Sequence, residues 1–292
     1  MAPTTPSGYG MTIPFDGVPL SEQRDLVVAL EDLGYTDVWS AEANGADAFT
    51  PLALAAAWAP SLRLGTAIVP AFTRGPALLA QSVATLADAA PGRVAFGIGA
   101  SSNVIVENWN GIPYTEPYRQ VRDMVRFLRQ ALTGEKVSGT FGRSEVKGFR
   151  LGVKLGERRP KLVVGALNEK MLALAGELAD GVLLNYLPAS HVPWSIEQVR
   201  AGEEAAGRET GSCRVFAYVH VGVTDRETAV DKARRDLFSY AVVDSYAESF
   251  TRAGYGDSVA EVRARHAAGD RDGAVAAVGD DMVDGIDVLG DA

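Results

Sequence analysis

Glycine, small hydroxyl residues, a carboxylate and two asparagines around a tryptophan follow one another within Gly92–Gly111, GRVAFGIGASSNVIVENWNG. Val94–Ile98 is apolar at nearly every position, the pattern of a strand buried on both faces. It opens into Gly99, Ala100, Ser101 and Ser102, where the lack of bulky side chains lets a ligand approach the backbone closely. A buried parallel strand that opens into such a loop is where α/β proteins hold ligands. Other apolar runs end in comparable residues: Ser40, Ala41, Glu42 and Asn44; Ala67, Ile68, Val69 and Pro70, then Arg74; Gly165, Ala166, Leu167 and Asn168 ahead of Lys170; Asn185 and Tyr186. Small residues, amides, aromatic rings and one or two carboxylates suit a planar cofactor with a phosphate tail.

Each of these has a plainer reading as well. Glu42 serves equally as a rim cap or ion-pair partner and as a contact to a cofactor or substrate. Glu107 reads as a solvated or structural acid, and Trp109 as a loop anchor. Gly97–Ser102 resembles a dinucleotide fingerprint only superficially, because Ser102 stands at the third glycine, the strand is the fourth, and no helix follows directly. Gly165–Lys170, opening a helix, places backbone N–H groups where a phosphate could sit. His191, His220 and His266 are scattered, with no metal-ligand spacing, and His220 reads as a core or rim group in the seventh strand. No G-x-S-x-G elbow or Walker loop is present, so hydrolase, NTPase and metal chemistry lack support, and no metal is expected.

The elements that must position these residues alternate along the chain. Expected strands are Tyr9–Phe15, Asp37–Glu42, Arg63–Pro70, Arg93–Gly99, Lys161–Leu167, Gly181–Leu187 and Arg214–Val223. Expected helices are Ser21–Leu33, Thr50–Ala59, Pro76–Ala90, Glu116–Leu132, Glu169–Leu178 and Trp194–Ala206. In the first helix Ser21 is the expected N-cap, Leu26, Val27, Leu30 and Leu33 share one face, and Gly34 ends it. In Glu116–Leu132, Tyr118, Val121, Met124, Val125, Leu128 and Leu132 form a core stripe. Strands joined by single helices make a parallel sheet. The fold class is α/β, a TIM (β/α)8-type barrel with insertions and no evident eighth strand at the C-terminus; a doubly wound sheet is the alternative. Thr133–Arg159 (a loop with a short hairpin) and Tyr240–Gly279 (helical, interrupted at Gly254, Gly256, Gly269 and Gly273) read as insertions in a single domain spanning residues 1–292.

Composition narrows the partners. The chain has 292 residues, 47% hydrophobic, and a net charge of -9, which argues against nucleic acid and anionic membrane surfaces. Cys213 is the one cysteine, so no intramolecular disulfide is expected and a cytoplasmic setting suits it. The opening MAPTTPSG reads as a polar lead-in without a signal segment, and no apolar run nears a membrane-spanning length.

Several motifs in order resemble the bacterial-luciferase-like superfamily, in its branch dependent on coenzyme F420. These are Leu33-Gly34-Tyr35-Thr36-Asp37-Val38-Trp39 leading to Glu42, Arg63-Leu64-Gly65-Thr66-Ala67-Ile68-Val69-Pro70, Gly92-Arg93 through Gly99, Ser102–Gly111, Gly165–Leu172, and Ala175-Gly176-Glu177-Leu178-Ala179-Asp180-Gly181-Val182. The resemblance covers roughly residues 9–290. It implies a TIM barrel with the deazaflavin across the carboxyl-terminal rim, and a bulge with a non-prolyl cis peptide at Ala67–Ile68 behind the ring. Gly99, Ala100, Ser101 and Ser102 would line the ring, and Gly165, Ala166, Leu167 and Asn168 would bind the tail through backbone amides. Glu42 would be the proton donor, where many relatives carry an Asp-His pair, and Asn185 would orient the substrate or ring edge. The implied reaction is hydride transfer between F420 and a small organic substrate with an electron-poor C=C, C=N or C=O bond, in a homodimer. The alternatives are an FMN-dependent monooxygenase and a catalytically silent flavin-binding protein. An aldolase on the same barrel has no suitably placed lysine.

Overall fold

The computed structural model describes residues 8–290, so the polar lead-in, apart from Gly8, lies outside the described residues. The chain forms two compact units, Met1–Gly165 with Leu178–Asp180, and Ala166–Glu177 with Gly181–Ala292.

The first unit contains β1 (Gly10–Thr12), α1 (Arg24–Asp32), β2 (Asp37–Ser40), α2 (Phe49–Trp58), β3 (Arg63–Thr66), β4 (Val69–Pro70), α3 (Pro76–Ala89), β5 (Val94–Gly99), α4 (Pro117–Ala131), β6 (Val137–Phe141), β7 (Ser144–Phe149) and β8 (Lys161–Gly165). Strands β1, β2, β3, β5 and β8 pair in that order, all parallel, and β4 also pairs with β5. All of β2 and all of β5 but Ala95 are buried, as in a parallel sheet covered on both faces, with Asp37 and Ser40 of β2 buried alongside Val38 and Trp39. Helix α4 buries Val121, Met124, Val125 and Leu128 as expected, and Phe127 besides, whose ring meets Phe141 and Phe149 of the β6–β7 antiparallel hairpin.

Local chemistry shifts several expected boundaries. β1 stops at Thr12: the Ile13 N–H still reaches the Trp39 carbonyl of β2, but the next N–H facing that strand, on Phe15, is taken by the Gln23 side chain. Ser21 does not cap α1: residues 20–22 form a separate short turn, and Gln23 stands at the cap instead. The Gln23 amide is engaged elsewhere, accepting from the Phe15 N–H at 2.9 Å and donating to the carbonyls of Phe15 and Val18. Only Val27 and Leu30 of the expected face are buried; Leu26 and Leu33 are exposed. Gly34, at φ 84°, ends the segment as expected.

The second unit contains α5 (Glu169–Leu178), β9 (Gly181–Asn185), α6 (Val192–Ala205), β10 (Arg214–Tyr218), β11 (Val221–Val223), α7 (Arg226–Ala241), α8 (Asp244–Phe250), α9 (Gly256–Ala267), α10 (Arg271–Ala276), α11 (Asp280–Ile286) and β12 (Val288–Gly290). β9 and β10 run parallel from Gly181 opposite Arg214 to Asn185 opposite Tyr218. Helices α5 and α6 meet backbone to backbone: a Cβ on Gly176 would strike the Val199 carbonyl, and one on Gly202 the Ala173 carbonyl. Helices α7 to α11 enclose their own core, which includes Leu237, Phe250, Val262 and Met282.

Here too the sequence expectation needs correcting. The run Arg214–Val223 is broken at Val219–His220 into β10 and β11, so His220 lies in a break and not within a strand. Gly254 (φ 106°) and Gly269 (φ 80°) interrupt the helical segment, whereas Gly256 and Gly273 lie within helices. A short further strand, β12, pairs in parallel with β11 where no eighth strand was evident. Among the described residues no helix is long and apolar enough to cross a membrane.

Candidate active site

In the first unit the expected site residues gather at the carboxyl ends of β2 to β5. The strand run Arg63–Pro70 is interrupted at Ala67–Ile68, where the peptide bond is cis at the position the resemblance implied. The interruption turns toward β2: the Ala67 N–H donates to the Ser40 carbonyl at 2.7 Å, and the Glu42 N–H to the Ile68 carbonyl at 3.1 Å. Val69 and Pro70 then return to pair with Ile98 and Gly99 of β5. Thr66 closes the gap left in the ladder, its hydroxyl donating to the Gly97 carbonyl at 2.8 Å and accepting the Gly97 N–H at 2.7 Å.

The glycines of this rim have a packing reason. A Cβ on Gly97 would overlap the Thr66 carbonyl, while Cβ atoms on Gly99 and Gly165 would lie 3.0 and 3.1 Å from the Ile68 side chain. Ile68 therefore occupies the side of Gly99 and Gly165 that the sequence reading left open to a ligand. Beyond it, Ala100, Ser101 and Ser102 are half-buried and carry no bulky group. Ser101 adopts φ 63°, uncommon outside glycine, and its carbonyl accepts the Tyr114 hydroxyl at 3.0 Å. The Tyr114 ring leans on Phe72, and burial pushes its phenol up, so it remains a donor. Glu107 and Trp109 are both exposed.

Glu42 sits where β2 ends, with its side chain 12% exposed. One carboxylate oxygen accepts from Arg74 at 2.5 Å and the other from the Ala48 N–H at 3.1 Å. Arg74 also lies over the Phe49 ring, 5.0 Å from its centre. Glu42 is thus an acceptor on both oxygens, held by a cation that the sequence reading placed on the rim without a role.

In the second unit, Asn168 caps α5, its side-chain oxygen accepting the Met171 N–H at 3.1 Å. The Ala166 N–H donates to the Leu183 carbonyl at 3.1 Å and is committed to it, whereas the N–H groups of Leu167 and Asn168 have no partner among the described residues. Lys170 follows, exposed, in the first turn.

Asn185 and Tyr186, at the end of β9, belong to a polar aromatic cluster. The Asn185 amide nitrogen donates to the Tyr246 hydroxyl at 3.3 Å, and its oxygen lies 3.0 Å from Nε2 of His220. Tyr186 (φ 48°) stacks on His220 at 3.9 Å with an interplanar angle of 17°, and its hydroxyl donates to Asp236. Tyr240 packs against Tyr186, and Tyr218 against His220. Burial, the nearby Tyr240 and the bond to Asp236 drive the Tyr186 phenol far up, so it stays protonated. Burial lowers the His220 imidazole, with the Asp236 charge opposing. Asp236, Tyr240 and Tyr246 escape the sequence reading because they lie on α7 and α8, in or beside the segment taken as an insertion. Their one signal is the density of tyrosine there.

The model of the luciferase-like monooxygenase family matches residues 1–292. The 5,10-methylenetetrahydromethanopterin reductase of Methanolobus tindarius is 29% identical over 208 residues, 71% of this chain and 63% of that protein. The enzyme of the same name from Archaeoglobus fulgidus is 29% identical over 266 residues, 89% of this chain and 79% of its own. The chain thus spans less than two-thirds of the first of these reductases. The solved structure of the coenzyme F420-dependent tetrahydromethanopterin reductase from Methanopyrus kandleri superposes with a TM-score of 0.77 at 20% identity, covering 97% of this chain and 86% of that one, a likeness of fold.

Proposed function

The chain belongs to the luciferase-like monooxygenase family, and from that premise we propose an F420-dependent oxidoreductase. Its substrate would be a small organic molecule with an electron-poor C=C, C=N or C=O bond. The reductases it resembles support this reading. The observation that carries it is the half-buried, small-residue strip Ala100–Ser102 that follows β5 at the carboxyl ends of the parallel strands. That strip suits a flat ring, and the donor set before α5 suits a phosphate.

When bound, the deazaflavin supplies a hydride and reacts poorly with oxygen. Ala67, Ile68, Gly99, Ala100, Ser101 and Ser102 would bear on its ring. Ala166 and Gly165 would shape the turn, while the N–H groups of Leu167 and Asn168 would hold the tail, helped by Lys170. Glu42 would act at the reacting bond once Arg74 is drawn off it onto an anionic group. Asn185, its amide fixed by His220 and Tyr246, would orient the substrate or ring edge. A homodimer in the cytoplasm is the proposed setting.

Titrating the purified protein with F420 and, separately, FMN, followed by cofactor fluorescence, tests the reading. Binding of F420 in preference to FMN is the expected result. Uptake of FMN alone would move the chain to the oxygen-using side of the family and end the F420 assignment.

A further inference from the structure

We infer that Gln120 is a positioning residue for the cofactor ring, steadying the Ala100–Ser102 strip through Ala71 and Phe72 and tying it to the β6–β7 hairpin; this rests on the F420 reading. Every residue in this chain of contacts belongs to the first unit. A flat ring gains most from a strip that is already in place when it arrives. The strip has no bulky side chains of its own to brace it, so its shape must be held from outside.

Gln120 lies in the first turn of α4 and is 4% exposed, so its amide must find partners inside the protein. The Arg143 N–H can only donate, which fixes the amide oxygen toward it, at 3.1 Å. The amide nitrogen then donates to the Ala71 carbonyl at 2.9 Å. One turn along α4, Asp123 accepts the Gly142 N–H at 3.1 Å. Both N–H groups of the turn between β6 and β7 therefore end on one face of α4. Gly142 stands at φ 56°, and a Cβ there would strike the Gln120 amide, so the turn is fitted around this side chain.

Ala71 and Phe72, both buried, pass the hold to the strip. The Ala71 N–H donates at 2.9 Å to the carbonyl of Gly99, the residue from which the strip departs. The Phe72 ring packs on Tyr114 with centres 5.2 Å apart, and the Tyr114 hydroxyl donates to the Ser101 carbonyl at 3.0 Å. Ser101 keeps φ 63°, which a serine holds only when its surroundings impose it. Gly99 and Ser101 are thus anchored through two consecutive residues, and Gln120 takes the carbonyl of the peptide that joins them. Without that donor the carbonyl is left buried and unpaired, and the Ala71–Phe72 segment is freed to shift.

The test is F420 affinity, read by cofactor fluorescence across pH, for the parent protein, Gln120→Glu and Gln120→Leu, with urea midpoints to show that each is folded. An ionised glutamate has no hydrogen for the Ala71 carbonyl, whereas a neutral one has, and burial favours the neutral form. The charged groups around it are Glu116, Arg119, Arg122 and Asp123 on α4, Arg143 on the turn and Arg74 beyond Phe72; parent and variant share them, so the ratio of affinities isolates the new carboxyl. Gln120→Glu should bind F420 about tenfold more weakly than the parent in alkaline solution, with the ratio closing toward one as pH falls. Gln120→Leu should stay weaker at every pH. A folded Gln120→Leu protein with the parent's affinity overturns the proposal, and so does a Gln120→Glu deficit that ignores pH, the mark of lost packing alone. Should Gln120→Leu not fold, Tyr114→Phe serves in its place: weaker F420 binding is expected, and unchanged affinity overturns the proposal. Failure of the unaltered protein to bind F420 overturns the functional reading and this proposal with it.

Discussion

The guanidinium of Arg74 lies 2.5 Å from the carboxylate of Glu42, with the two side chains only 20% and 12% exposed. Removing one partner strands the other largely out of water, at a cost of about 1–3 kcal/mol for a pair this buried. Arg74→Met should lower stability by that amount in urea unfolding. Glu42→Gln should keep F420 binding yet lose about tenfold or more in kcat. Full turnover with cofactor bound would remove Glu42 from the chemistry.

Gly97 and Gly99 are two residues apart and should respond differently to alanine. At Gly97 the new methyl group meets the carbonyl of Thr66, a residue held by its pairing with Ser40 and by its hydroxyl bonds to Gly97, and Gly97→Ala should cost about 3 kcal/mol. At Gly99 it meets only the Ile68 side chain, which can shift. Gly99→Ala should cost about 1 kcal/mol and act mainly by weakening F420 affinity. Paired denaturation and fluorescence titrations separate the two effects.

Asp287 is buried, its Oδ1 has no partner among the described residues, and burial, then the Asp236 charge, push its carboxyl up from 3.8 to about 6. The folded state favours the protonated form, so its stabilising share is whole below pH about 4 and is lost as pH rises through about 6. Asp287→Asn should therefore exceed the parent in stability by roughly 1–3 kcal/mol at neutral pH, with the gap closing below pH about 4. Urea midpoints across that range measure it. A constant gap would show that Asp287 does not titrate there.

Glu203, on α6, is wholly buried and ties down the turn before β10. It accepts from the N–H groups of Gly211 and Cys213 at 2.8 and 2.6 Å and from Arg200 at 2.9 Å. Burial alone would raise its carboxyl; the Gly211 and Cys213 hydrogen bonds, then Arg200, outweigh it and hold the group low. That stability is present above the unfolded value and is lost as pH falls through the folded one. Glu203→Gln should cost about 3 kcal/mol at neutral pH, less in acid, read from thermal unfolding.

The strands around the rim were legible because runs such as Val94–Ile98 can be apolar throughout only where both faces are covered. The break in Arg63–Pro70 was not legible from local pattern: Ala67, Ile68 and Val69 look like strand, and only the resemblance located the cis turn. His220 misled for a related reason. It alternates with Phe216 and Tyr218, and nothing in that pattern announces that pairing with β9 stops at Tyr218. The Asn185–Tyr246 contact spans 61 positions and is created by how α8 packs, beyond the reach of any spacing rule.

The Ile68 side chain has another consequence. Its methyl and methylene groups set the clearance over two neighbouring strands, at Gly99 and at Gly165. These three positions cannot drift independently. A bulkier glycine replacement is accommodated with less displacement when Ile68 shrinks, as with Ile68→Val, and the shrunken residue alone leaves a hollow. Descendants of this chain should therefore exchange these residues as a set.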